Sequence, residues 1–297
     1  MADALVIGAA GQDGWYLTRL LHEAGLSVAG IVHPDIPAEL ETLARDRPYV
    51  QPWAVDVRRA DHVARVVEQT RPETVFHLAA ISAPGRANAA PGLALEVNGL
   101  AVWHVLSALR AVVFASSNDA GPTSWYGLSK LLGQSIVQLA RRDGLLCSNA
   151  VLWNHSSPRQ SEEFVLPKLA GAAVRALAGQ MTAFTGHLRR WLDVLHAEDV
   201  CRALVQIAML PPGDYDVASG QPVSLIECAE WAFGAAGLGP DDWKTFCVEH
   251  HPPERAVPAD RAADLSWARE VGFSVRYSPR ALMAELVTAA RERSGAP

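Results

Sequence analysis

Tyr126-Gly-Leu-Ser-Lys130 sets a phenol and an ammonium four residues apart, so a helix through them carries both side chains on one face. An ammonium beside a phenol favours the phenolate and brings the tyrosine toward a pKa useful to a general base near neutrality. Upstream, a strand-like run ends in Ser116-Ser117, whose second hydroxyl suits an alcohol or ketone undergoing oxidation or reduction. The scarcity of lysine sharpens this reading. Of 26 basic residues, Lys130, Lys168 and Lys244 are lysines and the other 23 are arginines. An ammonium can lose or relay a proton, and a guanidinium cannot.

A second constellation lies near the N-terminus, where Ala4-Leu-Val-Ile7 runs into Gly8-Ala-Ala-Gly11-Gln-Asp-Gly14. Glycines at that spacing, between a strand and a helix, let the backbone approach a pyrophosphate while the helix start offers amides and positive dipole. Asp56-Val57, after the third strand, suits the edge of an adenine. His77-Leu78-Ala79-Ala80 ends the fourth strand and would pass beneath a dinucleotide; His77 taken alone reads equally as a buried strand end. After the second strand a carboxylate favours NAD and an arginine favours the 2′-phosphate of NADP. The sequence there is Ile31-Val-His33-Pro-Asp35: His33 suits a phosphate, Asp35 suits a ribose, and both readings stay open.

Hydrophobic periodicity predicts the elements that hold these residues. Strands are expected over 3–7, 26–32, 50–55, 74–78, 111–115 and 147–152, with helices over 15–24, 60–69, 93–109 and 125–141 between them. Such alternation predicts an α/β fold with a doubly wound parallel sheet of the Rossmann kind. Beyond Asn154 the pattern loosens, with helices expected over 163–178, 197–209, 225–236 and 279–292. No long polar linker intervenes. The expected organisation is a dinucleotide-binding domain over 1–154, carrying Tyr126 and Lys130, and a smaller α/β lobe over 155–297, mainly substrate-binding and interleaved with the first.

Composition narrows the functional classes. The chain has 297 residues, 49% hydrophobic and 20% charged, with a net charge of −6, the balance of a folded globular protein. Its mild acidity argues against a protein that coats nucleic acid. Cys147, Cys201, Cys228 and Cys247 form no Cys-x-x-Cys pair and read as reduced thiols, with no metal site implied. The N-terminus lacks a basic, apolar leader pattern, and no apolar run reaches the roughly 18 residues that span a bilayer. A cytoplasmic protein with no membrane partner is expected.

Taken together, Gly8-x-x-Gly11-x-x-Gly14 and Tyr126-x-x-x-Lys130 resemble the extended short-chain dehydrogenase/reductase family, and within it the nucleotide-sugar epimerases and dehydratases of the GDP-mannose 4,6-dehydratase type. The likeness continues through Gly11-Gln12-Asp13-Gly14, Asn154-His-Ser-Ser-Pro-Arg159, Phe164-Val165, Lys168, His196-Ala-Glu-Asp199, Asp214 to Gly220, and Trp243 to Asp260. The resemblance implies a tightly held NADP or NAD, leaning to NADP, with Gln12 and Asp13 in its cradle. It implies hydride removal from sugar C4, with Tyr126 as base and Ser117 and Lys130 in support. In the dehydratases a glutamate two residues after the serine then takes the C5 proton and assists loss of water from C6. Asp119 stands at that position, one methylene shorter, and a reach error of about 1 Å can cost a hundredfold.

For substrate, the resemblance implies contacts from Asn154, Arg159, Val165 and Lys168. Two arginines of the pattern are replaced, by Leu192 and within His251-Pro-Pro-Glu254, and Ser156 replaces an acid. Arg190 is the nearest substitute, with His251 and Glu254 completing the substrate set. The segment between Asp119 and Tyr126 is also short. The expected activity is C4 oxidation followed by 4,6-elimination or epimerisation of a nucleotide sugar. The alternatives are a 4-epimerase or 4-ketoreductase acting on a sugar nucleotide or a smaller polyol, and a catalytically silent dinucleotide-binding protein. Relatives of this kind pair the helices over 93–109 and 125–141 into a homodimer. Val102, Trp103, Leu106 and Leu132 are apolar enough for that, or for packing on the sheet.

Overall fold

The computed structural model describes residues 1–109, 111–185, 187–250 and 262–295. In chain order its elements begin with β1 (Ala4–Ile7), α1 (Gln12–Glu23), β2 (Val28–Val32), α2 (Pro37–Asp46), β3 (Val50–Ala54), α3 (Ala60–Thr70) and β4 (Thr74–His77). Two short helices, α4 (Pro84–Ala89) and α5 (Pro91–Leu95), lead through a π-helical turn (Glu96–Leu100) into α6 (Ala101–Ala108). There follow β5 (Ala111–Ser117), α7 (Trp125–Arg142), β6 (Leu146–Leu152), β7 (Asn154–Ser156), α8 (Val165–Ala176), β8 (Thr182–Thr185), β9 (Trp191–His196) and α9 (Ala197–Ile207). The chain closes with β10 (Asp214–Val217), β11 (Pro222–Ser224), α10 (Leu225–Ala235), α11 (Trp243–Phe246), β12 (Cys247–His250), α12 (Ser266–Glu270) and α13 (Pro279–Ser294).

Two compact units result: Met1–Trp153 with Val200–Val217, and Asn154–Asp199 with Ala218–Pro297. The first is built on a seven-stranded sheet in the order β10-β6-β5-β4-β1-β2-β3. Every pairing in it is parallel. β1 and β2 are buried at every position, as apolar strands covered on both faces must be. The doubly wound parallel sheet expected from the sequence is therefore present. Order reverses beside β1, with β2 on one side and β4 on the other, and in such sheets ligands bind beyond the strand ends at that reversal.

Two glycines set how closely the turn after β1 packs. Gly8 has φ +89°, and a Cβ on it would lie 2.9 Å from the Ala79 amide nitrogen. A Cβ on Gly14 would lie 2.2 Å from the Gly8 carbonyl oxygen. The helix thus starts directly against the strand end. The helix predicted over 93–109 differs: it is broken into α5, the π-turn and α6. The extra residue of the π-turn carries Asn98 and Gly99 into the interior, where Asn98 finds partners described below. Of the residues proposed to face a second copy, Val102 and Leu106 are buried against the sheet, whereas Trp103 is 57% exposed.

In the second unit, α8, α10 and α13 pack an apolar core that includes Leu169, Phe233 and Leu286. Two small sheets, β11-β9-β7 and β12-β8, complete it. Ser224 and Glu227 form a reciprocal cap at the start of α10. No helix among the described residues is long and apolar enough to cross a membrane.

Gly14→Ala is expected to lower stability by about 1–3 kcal/mol, the usual cost of forced overpacking, whereas Gly92→Ala, whose Cβ meets nothing within 4 Å, should leave it unchanged. Thermal denaturation followed by circular dichroism compares the two.

Candidate active site

Ser117 ends β5, and α7 begins eight residues later with Ser124 as its cap, the Ser124 hydroxyl accepting the Gly127 amide at 2.9 Å. This fixes Tyr126 and Lys130 on the buried side of α7. The Tyr126 hydroxyl makes a long contact of 3.5 Å to Ser117 Oγ. Lys130 Nζ donates to the Ala115 carbonyl at 2.8 Å and lies 5.3 Å from the Phe114 ring centroid. The Asn88 side chain accepts the Tyr126 amide at 3.0 Å.

Burial dominates the electrostatics of this pair. Burial pushes the Tyr126 phenol up to about 12, against the lowering effect of the Ser117 contact and with the Asp119 charge raising it further. Burial is thus what keeps the phenol protonated, while Lys130 Nζ bonds the Ala115 carbonyl. Burial pulls Lys130 down to about 8, while the Asp13 charge works the other way. His77 is completely buried and stacks on Phe114 with ring centroids 5.6 Å apart. Burial first, and the Lys130 charge second, hold it neutral with its pKa near 3. It behaves as a buried strand end.

Asn98 is the participant that sequence reasoning missed. It is fully buried; its Oδ1 accepts the Ile81 amide at 2.7 Å, and its Nδ2 donates to Ile81 O at 3.2 Å and Ser129 Oγ at 2.9 Å. It thereby ties the segment after β4 to the helix of Tyr126 and Lys130. The available signal was the Asn98-Gly99 pair, a turn-type dipeptide that interrupts an apolar helical pattern.

Asp119 is exposed, and its amide donates to Ser117 Oγ at 3.1 Å. At the turn after β1, the Gly8 amide bonds Ile31 O at 2.9 Å and Gly11 caps α1 through its backbone, with no side-chain cap among the described residues. α1 thus starts at the sheet reversal, and a helix start is where backbone amides and dipole favour an anion. Leu78, Ala79 and Ala80 follow β4, with Ala79 against Gly8. The crowded, Cβ-free approach at Gly8 and Gly14 fits a dinucleotide.

Beyond β2 and β3, His33 Nδ1 accepts the Asp35 amide at 3.2 Å. Asp56 is gripped by Arg58 through Nε at 3.0 Å and Nη2 at 2.6 Å, which holds its carboxyl below the usual range. Val57 is buried, its carbonyl 3.2 Å from His104 Nδ1.

Within the second unit, Asn154 opens β7 beside Val194, Val165 opens α8, and Lys168 Nζ lies 5.1 Å from the Phe184 ring centroid. Arg159 lines a surface cavity of about 480 Å³ with Ser161 and Arg293, and Asn154, Lys168 and Arg190 do not line it. Arg190 is exposed just before β9, while Leu192 is buried in the core. His251 and Glu254 lie outside the described residues.

A glycine cradle at the sheet reversal, with Ser, Tyr and Lys gathered at the end of β5, defines a dinucleotide-binding α/β protein. Residues 4–218 match the NAD dependent epimerase/dehydratase family, and the chain belongs to it. It is 27% identical to the GDP-mannose 4,6-dehydratase of Sinorhizobium fredii, a likeness spanning 96% of this chain and 95% of that relative. The UDP-glucose 4-epimerase of Thermotoga maritima, solved with UDP-glucose, has a TM-score of 0.83 at 20% identity, covering 98% of this chain and 99% of the other. The dTDP-glucose 4,6-dehydratase of Bacillus anthracis, solved with NAD, has a TM-score of 0.82 at 16% identity, covering 98% and 97%. Those two share the fold.

Lys130 gives a pH-dependent prediction. Its folded pKa, about 8, lies below the ordinary 10.5, so burying its charge costs stability below about pH 8. That cost fades as pH rises from about 8 to 10.5. Relative to Lys130→Met, the parent chain should gain on the order of 3 kcal/mol across that window. Urea denaturation of both at several pH values reads the difference.

Proposed function

We propose that this chain is a nicotinamide-dependent enzyme that modifies a nucleotide sugar, beginning with oxidation at C4. The observation that carries the proposal is the buried Ser117–Tyr126 contact with Lys130 one helical turn on, at the end of a strand two places from the glycine cradle. A merely binding protein has no use for a buried phenol and ammonium. A nicotinamide dinucleotide held by Gly8, Gly11, Gln12, Asp13 and Gly14 would supply a hydride acceptor and a positive ring.

Within that frame Ser117 Oγ and the Tyr126 hydroxyl hold the C4 hydroxyl, and Tyr126 takes its proton as hydride departs. Since burial alone leaves the phenol near 12, added positive charge close by is what makes it a base near neutrality. The positive ring of a bound nicotinamide would supply it, with Lys130, bonded to Ala115 O, in support. Asn154, Arg159, Val165, Lys168 and Arg190, with His251 and Glu254, are carried as substrate contacts on the resemblance. The exposed Trp103 favours a homodimer through α6 and α7.

For the step after oxidation, 4,6-elimination requires Asp119 to remove the C5 proton. The exposure of Asp119 favours a second reading, in which C4 is oxidised and re-reduced without C5 chemistry, as in a 4-epimerase or 4-ketoreductase.

Tyr126→Phe is expected to lower turnover at least ~10²-fold, within the usual contribution of a general base, while cofactor binding by calorimetry stays intact. The substrate is to be sought by thermal shift with GDP-, UDP-, dTDP- and CDP-sugars beside the cofactor. A chain that binds no nicotinamide dinucleotide refutes the proposal. With the substrate in hand, solvent deuterium at C5 marks elimination, and its loss in Asp119→Asn assigns the base. No deuterium in the parent chain selects the second reading.

A further inference from the structure

Tyr126 stands in the first turn of α7, and the opening amides of a helix have no acceptor within the helix itself. Ser124 serves this turn locally. Its hydroxyl accepts the Gly127 amide at 2.9 Å and its carbonyl accepts the Leu128 amide at 2.8 Å. The Tyr126 amide is served from elsewhere: Asn88 Oδ1, 38 residues earlier in the chain, accepts it at 3.0 Å.

The tyrosine ring rests on the same segment as its amide. It packs with Ala87, Ala94 and Ile81, and both alanines are fully buried. The short helices that carry them, α4 and α5, each open on a proline, whose fixed φ suits a first helical position. Asn98 ties down one end of the segment by clasping the amide and carbonyl of Ile81. Asn88 ties the segment to Tyr126. Backbone and ring are therefore braced by one stretch of chain.

Chemistry needs that bracing more than folding does. The Tyr126 hydroxyl lies 3.5 Å from Ser117 Oγ, longer than the usual O–H···O distance of about 2.7–2.8 Å. A misplacement of ~1 Å between reacting groups can cost about a hundredfold in rate. By contrast, α7 runs for 18 residues behind its own serine cap. Asn88 is exposed, so water can take the place of a deleted side chain. Water would satisfy the amide without fixing where it stands.

We propose that Asn88 is a positioning residue for Tyr126, its side-chain oxygen setting where the phenol stands against Ser117 and thereby the rate of C4 oxidation. This rests on the enzymatic reading above. Asn88 acts through the Tyr126 backbone.

The test compares the whole chain with Asn88→Leu, which removes the acceptor at similar bulk, and Asn88→Asp, which keeps one. Amide hydrogen exchange needs no substrate. Tyr126 should be protected in the parent and in Asn88→Asp, and should exchange at least ~10-fold faster in Asn88→Leu at a nearly unchanged melting temperature. Hydride transfer is then read as single-turnover reduction of the nicotinamide. The probe is whichever of GDP-mannose, UDP-glucose, dTDP-glucose and CDP-glucose raises the melting temperature of the parent. Asn88→Leu should lower the rate at saturating sugar about 10-fold and leave the half-saturating concentration unchanged. Asn88→Asp should recover the rate, and its added carboxylate raises the phenol pKa, so the rise of rate with pH moves to higher pH in that variant alone. Three results overturn the assignment and leave the proposed function standing: a freely exchanging Tyr126 amide in the parent, a parental saturated rate in Asn88→Leu, or a loss that Asn88→Asp recovers at no pH. A parent chain that binds no nicotinamide dinucleotide overturns that function and this assignment with it.

Discussion

An ammonium withdrawn from water between β5 and α7 is the constraint around which the first unit is arranged. Lys130 is buried, and a charged group there is tolerated only with a partner and a fixed geometry. Ala115 O provides the partner, and the Phe114 ring lies nearby. The Ser124 cap fixes where α7 starts, so that Tyr126 and Lys130 point inward together. Ser129, between them, reaches Asn98, which in turn clasps Ile81. The helix, the π-turn and the segment after β4 are thus joined through polar groups that have few alternatives inside an apolar core. Burial first, and the same charge second, keep His77 neutral.

Much of this frame was legible because it follows from local spacing. Apolar runs separated by helix-length amphipathic segments can satisfy a parallel sheet in few ways, and β1, β2, β4 and β6 fall within two residues of their predicted ends. Tyr126 and Lys130 were legible for the same reason, since four residues on a helix guarantee a shared face. What escaped was whatever depends on partners distant in sequence. Asn98 looks like an interruption of a helix until Ile81 and Ser129 are beside it. Arg58 looks like one arginine among 23 until Asp56 and Glu96 are seen to hold it. The α2 helix, with Pro37 at its first turn and little apolar periodicity, also gave too weak a signal.

The pKa of Tyr126 shows why residue type and spacing do not by themselves settle a chemical role. Sequence places the ammonium one turn away; it does not say where the ammonium points. Lys130 bonds to a backbone carbonyl, and burial then decides the direction of the phenol's shift. On the proposed function, a positive charge brought close to the phenol would lower its pKa again.

Recognition of a diphosphate follows different rules, because it rests on exposed cations that a strand can exchange for core residues. Leu192 shares its inward phase with Val194, and both belong to the apolar core of the second unit. A guanidinium at that position would have to leave the core. Arg190 sits two residues earlier, so at about 3.3 Å per residue along a strand it begins roughly 7 Å from the position Leu192 occupies. Arg159 and Arg293 share another cavity of that unit, and the Arg293 guanidinium is steadied on Pro158 O at 2.9 Å. On the proposed function, moving the cations while Ser117, Tyr126 and Lys130 stay in place would change which anionic handle is held and leave the redox step untouched. Departure from the relatives' pattern is therefore expected in the second unit's ligand contacts before it is expected in the chemistry of the first.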